Sequence, residues 1–177
     1  GFDGSIALSS CLKLNLTSHV FSDFPPLANA RYGHGLVMYN GSLVALGGNN
    51  GSTALVSCES FSESDNSWTS FVSLREARYY FGASVVKGKI FIAGGYTISG
   101  VVIASTEVFQ GKQWSFLTTN ARAFRVYCAT VNFNDTFVVL GGSVNSIEVY
   151  DPVTLLWSSG TFPLMTTPRQ SPAAVVF

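Results

Sequence analysis

The sequence predicts an all-β fold assembled from repeats of a short antiparallel sheet. One segment occurs three times: Asn40-Gly41-Ser42-Leu43-Val44-Ala45-Leu46-Gly47-Gly48, Lys87-Gly88-Lys89-Ile90-Phe91-Ile92-Ala93-Gly94-Gly95, and Asn134-Asp135-Thr136-Phe137-Val138-Val139-Leu140-Gly141-Gly142. Each copy is a tight-turn dipeptide, an apolar run of strand length and a glycine pair. The spacing is constant, since Gly47 to Gly94 and Gly94 to Gly141 are each 47 positions. A fixed period of this size marks a solenoid, propeller or array. Turn signals recur every ~8–12 residues and no helical apolar periodicity is visible, so no helix longer than a turn or two is expected.

Taken in order, residues 1–30 read as a partial unit. Gly1 to Cys11 aligns with Gly48 to Cys58, again 47 apart. Leu12-Lys13-Leu14-Asn15-Leu16 alternates apolar and polar, a strand signal, and Phe21 precedes a Pro25-Pro26 turn. The first complete unit has Gly35-Leu36-Val37-Met38-Tyr39 as a strand and Asn40-Gly41 as a hairpin turn, two residues that tolerate positive φ. Leu43–Leu46 returns, Ser57–Phe61 is a third strand, and Trp68 to Val72 is a fourth. The second unit repeats this with Ala83–Val86, Lys87-Gly88, Ile90–Ala93, Thr106–Phe109 and Trp114. The third has Ala129–Val131, Asn134-Asp135, Phe137–Leu140, Ile147–Tyr150 and Trp157. Arg31, Arg78 and Arg125 are 47 apart. Arg169 and Ala173–Phe177 read as the start of another unit.

Composition narrows the partners. Hydrophobic residues are 47% and aromatics 14% of the 177, enough for a sizeable core, while charged residues are 11%, against about 25% in an average soluble domain. Ten basic residues balance ten acidic ones, so there is no basic footprint for general nucleic-acid binding. No apolar run approaches the ~20 residues of a helical membrane span, and no basic-then-apolar leader opens the chain. The first residue is not Met, so the native N-terminus is expected to lie upstream. No nucleic-acid or membrane partner is expected. Cys11, Cys58 and Cys128 are odd in number and lack CxxC spacing, which argues against a zinc site or a disulfide framework. Cys11 and Cys58 hold one repeat position and read as buried small apolar side chains.

A four-stranded unit of this length, with Gly-Gly after the second strand, Glu-x-aromatic in the third and Trp opening the fourth, resembles the kelch repeat, one blade of a β-propeller. The matching residues are Gly47-Gly48, Gly94-Gly95 and Gly141-Gly142, then Glu59/Phe61, Glu107/Phe109 and Glu148/Tyr150, then Trp68, Trp114 and Trp157. Arg31, Arg78, Arg125 and Arg169 match the arginine ahead of the first strand. The fold implied is a kelch-type β-propeller segment of four-stranded antiparallel blades, with complete blades at 31–77, 78–124 and 125–168. Residues 1–30 give the third and fourth strands of a partial blade, and 169–177 the first strand of a further blade, so a blade is split across the termini. The partial unit departs from the pattern, with Phe21 in place of Trp and Leu12 in place of Glu. Kelch propellers typically close with about six blades, so the chain is expected to be a segment of a larger domain. Its unpaired sheet edges are expected to make it prone to associate.

Val149-Tyr150-Asp151-Pro152 and the spacing look most like the propellers of kelch-like (BTB-kelch) proteins. That resemblance implies a protein–protein interaction module, either the substrate-recognition part of a ubiquitin-ligase adaptor or a cytoskeletal scaffold, in the cytoplasm. Asn-x-Ser/Thr patterns at Asn15, Asn40, Asn50 and Asn134 keep a secreted location open. The alternative is a carbohydrate-directed propeller, galactose-oxidase-like or sialic-acid mutarotase-like.

No enzyme activity, metal or cofactor is expected. His19 and His34 are the only histidines, and neither has a ligand partner at metal spacing or a readable triad. The Tyr, Cys and His set of a copper oxidase cannot be placed. The glycine pairs open no helix and precede no Lys-Ser/Thr, so they are not phosphate loops. Repetition of Glu59, Glu107 and Glu148 marks a structural role, and the tryptophans read as packing between blades. The arginines read either as partners of their blade's own carboxylates and carbonyls or as residues of the propeller face.

In a four-stranded meander the loops alternate between two ends. The loops after Gly-Gly therefore open on the same side as those entering the next blade. With the first strand innermost, as in kelch propellers, they ring the mouth of a central channel. The residues expected to meet a protein or peptide ligand there are Asn49, Asn50, Tyr80, Tyr96, Thr97 and Tyr127, with Arg31, Arg78 and Arg125. Tyr and Arg anchor contacts, while Asn adapts its hydrogen bonding. One of Tyr79 and Tyr80 is expected to pack on the neighbouring blade.

Overall fold

The computed structural model describes residues 1–159 and 162–176. Among them there is no helix. The strands are β1 (Cys11–Leu14), β2 (Phe21–Phe24), β3 (Gly35–Tyr39), β4 (Ser42–Leu46), β5 (Cys58–Ser62), β6 (Ser67–Phe71), β7 (Gly82–Val86), β8 (Lys89–Ala93), β9 (Thr106–Gln110), β10 (Gln113–Phe116), β11 (Cys128–Phe133), β12 (Thr136–Gly141), β13 (Ile147–Asp151) and β14 (Leu156–Ser158). They form a two-stranded sheet, β1-β2, and three four-stranded antiparallel meanders, β3 to β6, β7 to β10 and β11 to β14. The fold is an all-β array of propeller blades.

Turn chemistry sets the registers. Tyr39 pairs with Ser42, Val86 with Lys89 and Phe133 with Thr136, leaving two-residue loops. Both loop residues have positive φ in each case: Asn40 48° and Gly41 81°, Lys87 49° and Gly88 68°, Asn134 47° and Asp135 60°. That matches the right-handed strand twist and puts each apolar run on a defined face.

The hydrophobic core lies between blades rather than within them. Val37, Val44, Leu46, Cys58 and Leu74 of the first complete blade meet Phe81, Ile90, Ile92, Phe109 and Trp114 of the second. Val86, Phe91, Ala93 and Val108 of the second meet Phe137, Val139 and Tyr150 of the third. Each tryptophan also donates its indole N–H to a carbonyl of the preceding blade, Trp68 to Pro25 at 2.9 Å, Trp114 to Val72 at 2.9 Å and Trp157 to Thr119 at 3.1 Å. A lone sheet cannot bury both faces, so stacking supplies the core.

The glycine pairs let the next blade approach. The N–H of Gly48 donates to Arg78 O at 2.9 Å, that of Gly95 to Arg125 O at 2.8 Å, and that of Gly142 to Arg169 O at 2.8 Å. Gly1 repeats the bond to Arg31 O at 2.7 Å. A Cβ on Gly94, whose φ is +74°, would collide with the carbonyl oxygen of Arg125. Only glycine combines that φ with that approach.

At the C-terminal side, Arg169 keeps the backbone role of its equivalents, but residues 173–176 form no strand and are exposed. Strand geometry requires a hydrogen-bonded neighbour, and among the described residues none pairs with Ala173–Val176. Phe177, the last residue of the strand expected there, and Gly160 and Thr161 of the third unit lie outside the described residues. In the partial blade, Leu12 and Phe21 are 66% and 64% exposed. They stand where the complete blades carry Glu and Trp.

Candidate functional site

The loops after Gly-Gly and the loops entering the first strands are stitched together by backbone bonds. Tyr32 and Asn49 exchange N–H···O bonds of 2.9 Å each, and Tyr79 and Tyr96 exchange bonds of 3.2 and 2.8 Å. The first strands β3, β7 and β11 lie against one another, so these loops converge at the propeller axis. A second set of bonds runs from blade to blade along that axis. Tyr80 N donates to Gly33 O at 2.7 Å, Tyr127 N to Tyr80 O at 2.8 Å, and Ser171 N to Tyr127 O at 2.9 Å. All four residues have left-handed backbones, with φ of 58°, 57°, 53° and 48° for Gly33, Tyr80, Tyr127 and Ser171. Bulky residues rarely adopt this conformation.

Six aromatic rings meet at the mouth. Phe2 lies 5.0 Å from Tyr32, and Tyr32 lies 6.2 and 5.9 Å from Tyr79 and Tyr80. Tyr79–Tyr80, Tyr80–Tyr127, Tyr127–Tyr96 and Tyr96–Tyr79 close a circuit at 5.0, 4.3, 6.1 and 5.9 Å. The five tyrosines are half-buried. Partial burial, reinforced by neighbouring phenols, raises the pKa of Tyr79, Tyr80 and Tyr127, so these hydroxyls stay protonated. The Tyr80 ring lies on the first blade's backbone, and a Cβ at Gly33 would sit 2.8 Å from its Cδ1. Tyr80, Tyr96 and Tyr127 thus come together as the sequence suggests, and Phe2, Tyr32 and Tyr79 complete the patch. The six rings occupy three repeat positions, Phe2 with Tyr96, Tyr32 with Tyr79 and Tyr80 with Tyr127, but which way the rings turn is visible only with the blades assembled.

The other expected face residues divide. Asn50 is exposed, its Oδ1 accepting from Ser52 and Thr53 N–H at 2.9 Å each. Thr97 is half-buried and its hydroxyl accepts from Val101 N–H at 3.2 Å. Asn49 is buried, with Oδ1 accepting from Gly51 N–H at 2.7 Å, so its amide braces the loop.

Arg31, Arg78 and Arg125, read from sequence as either structural or face residues, are 0%, 0% and 1% exposed. Arg31 donates to Gly47 O at 2.6 Å, Ser57 O at 2.8 Å and Glu59 Oε1 at 2.6 Å. Arg78 does the same with Gly94 O, Ser105 O and Glu107, and Arg125 with Gly141 O, Ser146 O and Glu148. Each glutamate also accepts two backbone N–H groups from the connection entering its blade, as Glu59 does from Ala28 and Asn29. Burial alone would raise the Glu59 carboxyl. The Ala28 amide, the Arg31 guanidinium and the Asn29 amide outweigh it and hold the pKa below its ordinary value. These guanidiniums therefore position the loops and do not face outward.

His34 shares its repeat position with Phe81 and Cys128, and its Nδ1 is buried without a partner. Burial, then the charges of the amino terminus and Arg31, push its pKa down from 6.5 to about 4. The unfolded chain therefore takes up a proton first as pH falls. The stability of the neutral form is complete above about pH 6.5 and is lost between there and pH 4, by at most ~3 kcal/mol. His34→Phe, which installs the second blade's residue, is expected to flatten the denaturation midpoint between pH 6.5 and 4.5. Parallel midpoint–pH curves for the two proteins would contradict this.

A cavity of about 210 Å³ sits at the axis, lined by Gly33, His34, Tyr80, Phe81, Tyr127, Cys128, Ser171 and Pro172. Larger hollows of about 340 and 420 Å³ lie at the opposite end, beside the hairpin turns at Gly41 and Asn134. Among the described residues no group of three or more His, Cys, Asp and Glu is placed to hold a metal ion. Among the same residues there is no helix long and apolar enough to cross a membrane.

No curated protein matches the chain. A family model described as Kelch motif matches residues 30–75, the stretch that contains β3 to β6 and the first glycine pair. The same meander, Arg–Glu joint and Trp bond recur in the next two sheets, so the three complete sheets share the blade architecture of the matched stretch.

Proposed function

We propose that this propeller segment is a protein-interaction module that receives a protein or peptide segment across the channel mouth, as the substrate-recognition part of a ubiquitin-ligase adaptor or as a cytoskeletal scaffold. The observation that carries the reading is the half-exposed patch of Phe2, Tyr32, Tyr79, Tyr80, Tyr96 and Tyr127. Tyr80 and Tyr127 keep bulky side chains on left-handed backbones, where glycine in the first blade needs no such strain. Strain held at a surface cluster is a mark of function. Rigid tyrosines also give large contact area at low entropic cost. Asn50 and Thr97 supply adaptable polar contacts at the rim. The three cysteines are free thiols, which suits a cytoplasmic location.

The test uses single alanine changes at Tyr80, Tyr96, Tyr127 and Asn50, assayed against a cross-linked and purified partner. At least one tyrosine is expected to behave as a hot spot worth ~2 kcal/mol or more. Lys87→Ala and Asn134→Ala, at the opposite end, are expected to leave affinity unchanged. The reverse pattern would move the binding face to the hairpin end.

A further inference from the structure

We infer that the occupant of the channel mouth presents a cationic side chain, an arginine or lysine of a partner peptide, to the tyrosine rings. This rests on the reading of the mouth as a peptide-binding surface and names what that surface selects.

The axial cavity of about 210 Å³ is smaller than the ~300–1,000 Å³ of small-molecule pockets. It admits a side chain rather than a cofactor or a run of sugars. Its lining has no Lys, Arg, Asp or Glu side chain. The guanidiniums of Arg31, Arg78 and Arg125 are sealed against Glu59, Glu107 and Glu148, and His34 is neutral above about pH 4. The four loops after the Gly-Gly position, 2–7, 49–54, 96–102 and 143–146, contain no Lys, Arg or His and a single carboxylate, Asp3. Asp3 is exposed beside Phe2, at one end of the aromatic patch. The exposed cations on the connections between blades are Arg75, whose guanidinium lies over Phe116 of an outer strand, Arg122, and Arg169 at the other end of the blade series.

An anionic side chain entering here would lose hydration with no cation to repay it, and the negative ring faces would repel it. A cation is attracted by those same faces. Tyr80 and Tyr127 are tilted by 36° at 4.3 Å, and Tyr96 meets Tyr127 edge-on at 76°. Ring faces and neutral phenol oxygens are therefore both available around the mouth, the oxygens as acceptors for guanidinium or ammonium N–H groups.

The experiment measures binding of the full chain to three labelled peptides by fluorescence anisotropy. They share uncharged flanks and differ at one central residue: arginine, citrulline, which keeps the shape without the charge, or glutamate. The arginine peptide is expected to bind about tenfold more tightly than the citrulline peptide, with the glutamate peptide weakest. Tyr80→Gly, which installs the residue of the first blade and suits the left-handed backbone, is expected to fold and to erase the arginine preference. Equal binding of arginine and citrulline peptides, a preference for glutamate, or an arginine preference that survives Tyr80→Gly would overturn the inference while leaving the mouth as a peptide site. Failure of all three peptides to bind would overturn both readings.

Discussion

Arg78→Met is expected to destabilise the propeller by about 3–5 kcal/mol, because it strands a buried charge. The Arg78 and Glu107 side chains are both 0% exposed and meet at 3.1 Å. The guanidinium also donates to Gly94 O at 2.9 Å, Ser105 O at 3.0 Å and Ser105 Oγ at 2.8 Å. Methionine fills much of the volume but leaves Glu107 with only the amides of Arg75 and Glu76. It also orphans the two carbonyls. Adding Glu107→Leu removes the stranded charge, so the double variant is expected to recover part of the loss, and the difference measures the coupling. Lys87→Ala breaks an exposed pair with Asp135 at 3.5 Å and is expected to leave the denaturation midpoint in place. Equal midpoints for Arg78→Met and Lys87→Ala would mean that the buried joint does not hold the blade.

Trp114→Ala is expected to cost about 3–5 kcal/mol, the usual range for removing a buried large aromatic. Trp114 is 2% exposed and sits in the cluster shared by the first and second blades. It packs 5.3 Å from Phe109, and its indole N–H reaches back to Val72 O. The substitution therefore opens a cavity at the blade interface and leaves a carbonyl unpaired. Asn50→Ala touches an exposed loop side chain and is expected to cost far less. Urea midpoints for the two variants, read with unchanged slopes, make the comparison. Coincident midpoints would place Trp114 outside the core.

Much of the fold is legible in the sequence because its determinants are local and repeat. Asn40-Gly41, Lys87-Gly88 and Asn134-Asp135 mark hairpins through their tolerance of positive φ. The 47-residue spacing then aligns the first two strands of each blade, and the Glu-x-aromatic triplets and tryptophans locate the third and fourth. The glycine pairs mark a point of close approach, though not what approaches. The structure identifies it as the carbonyl of the next blade's arginine.

What the sequence leaves open is decided between blades. Arg31, Arg78 and Arg125 sit in loops beside tyrosines, and spacing alone reads them equally well as face residues. Only assembly shows the guanidiniums turning inward, where Glu59, Glu107 and Glu148 and the glycine carbonyls satisfy a charge that could not otherwise be buried. Asn49 and Asn50 are neighbours of identical type, yet one is held inside by its bonding to Tyr32 and Gly51 and the other is exposed. Ala173–Val176 has the residue types of a strand and forms none among the described residues, since strand formation depends on a neighbour and not on propensity alone. The aromatic patch is the clearest case. Phe2 and Tyr127 are far apart in the chain, and their rings join one surface because successive blades hand a backbone hydrogen bond along the axis at Gly33, Tyr80 and Tyr127. Turn chemistry and period are properties of short segments and can be read from them. Which side chains share a surface depends on how one sheet is placed against the next, and that placement exists only in the tertiary structure.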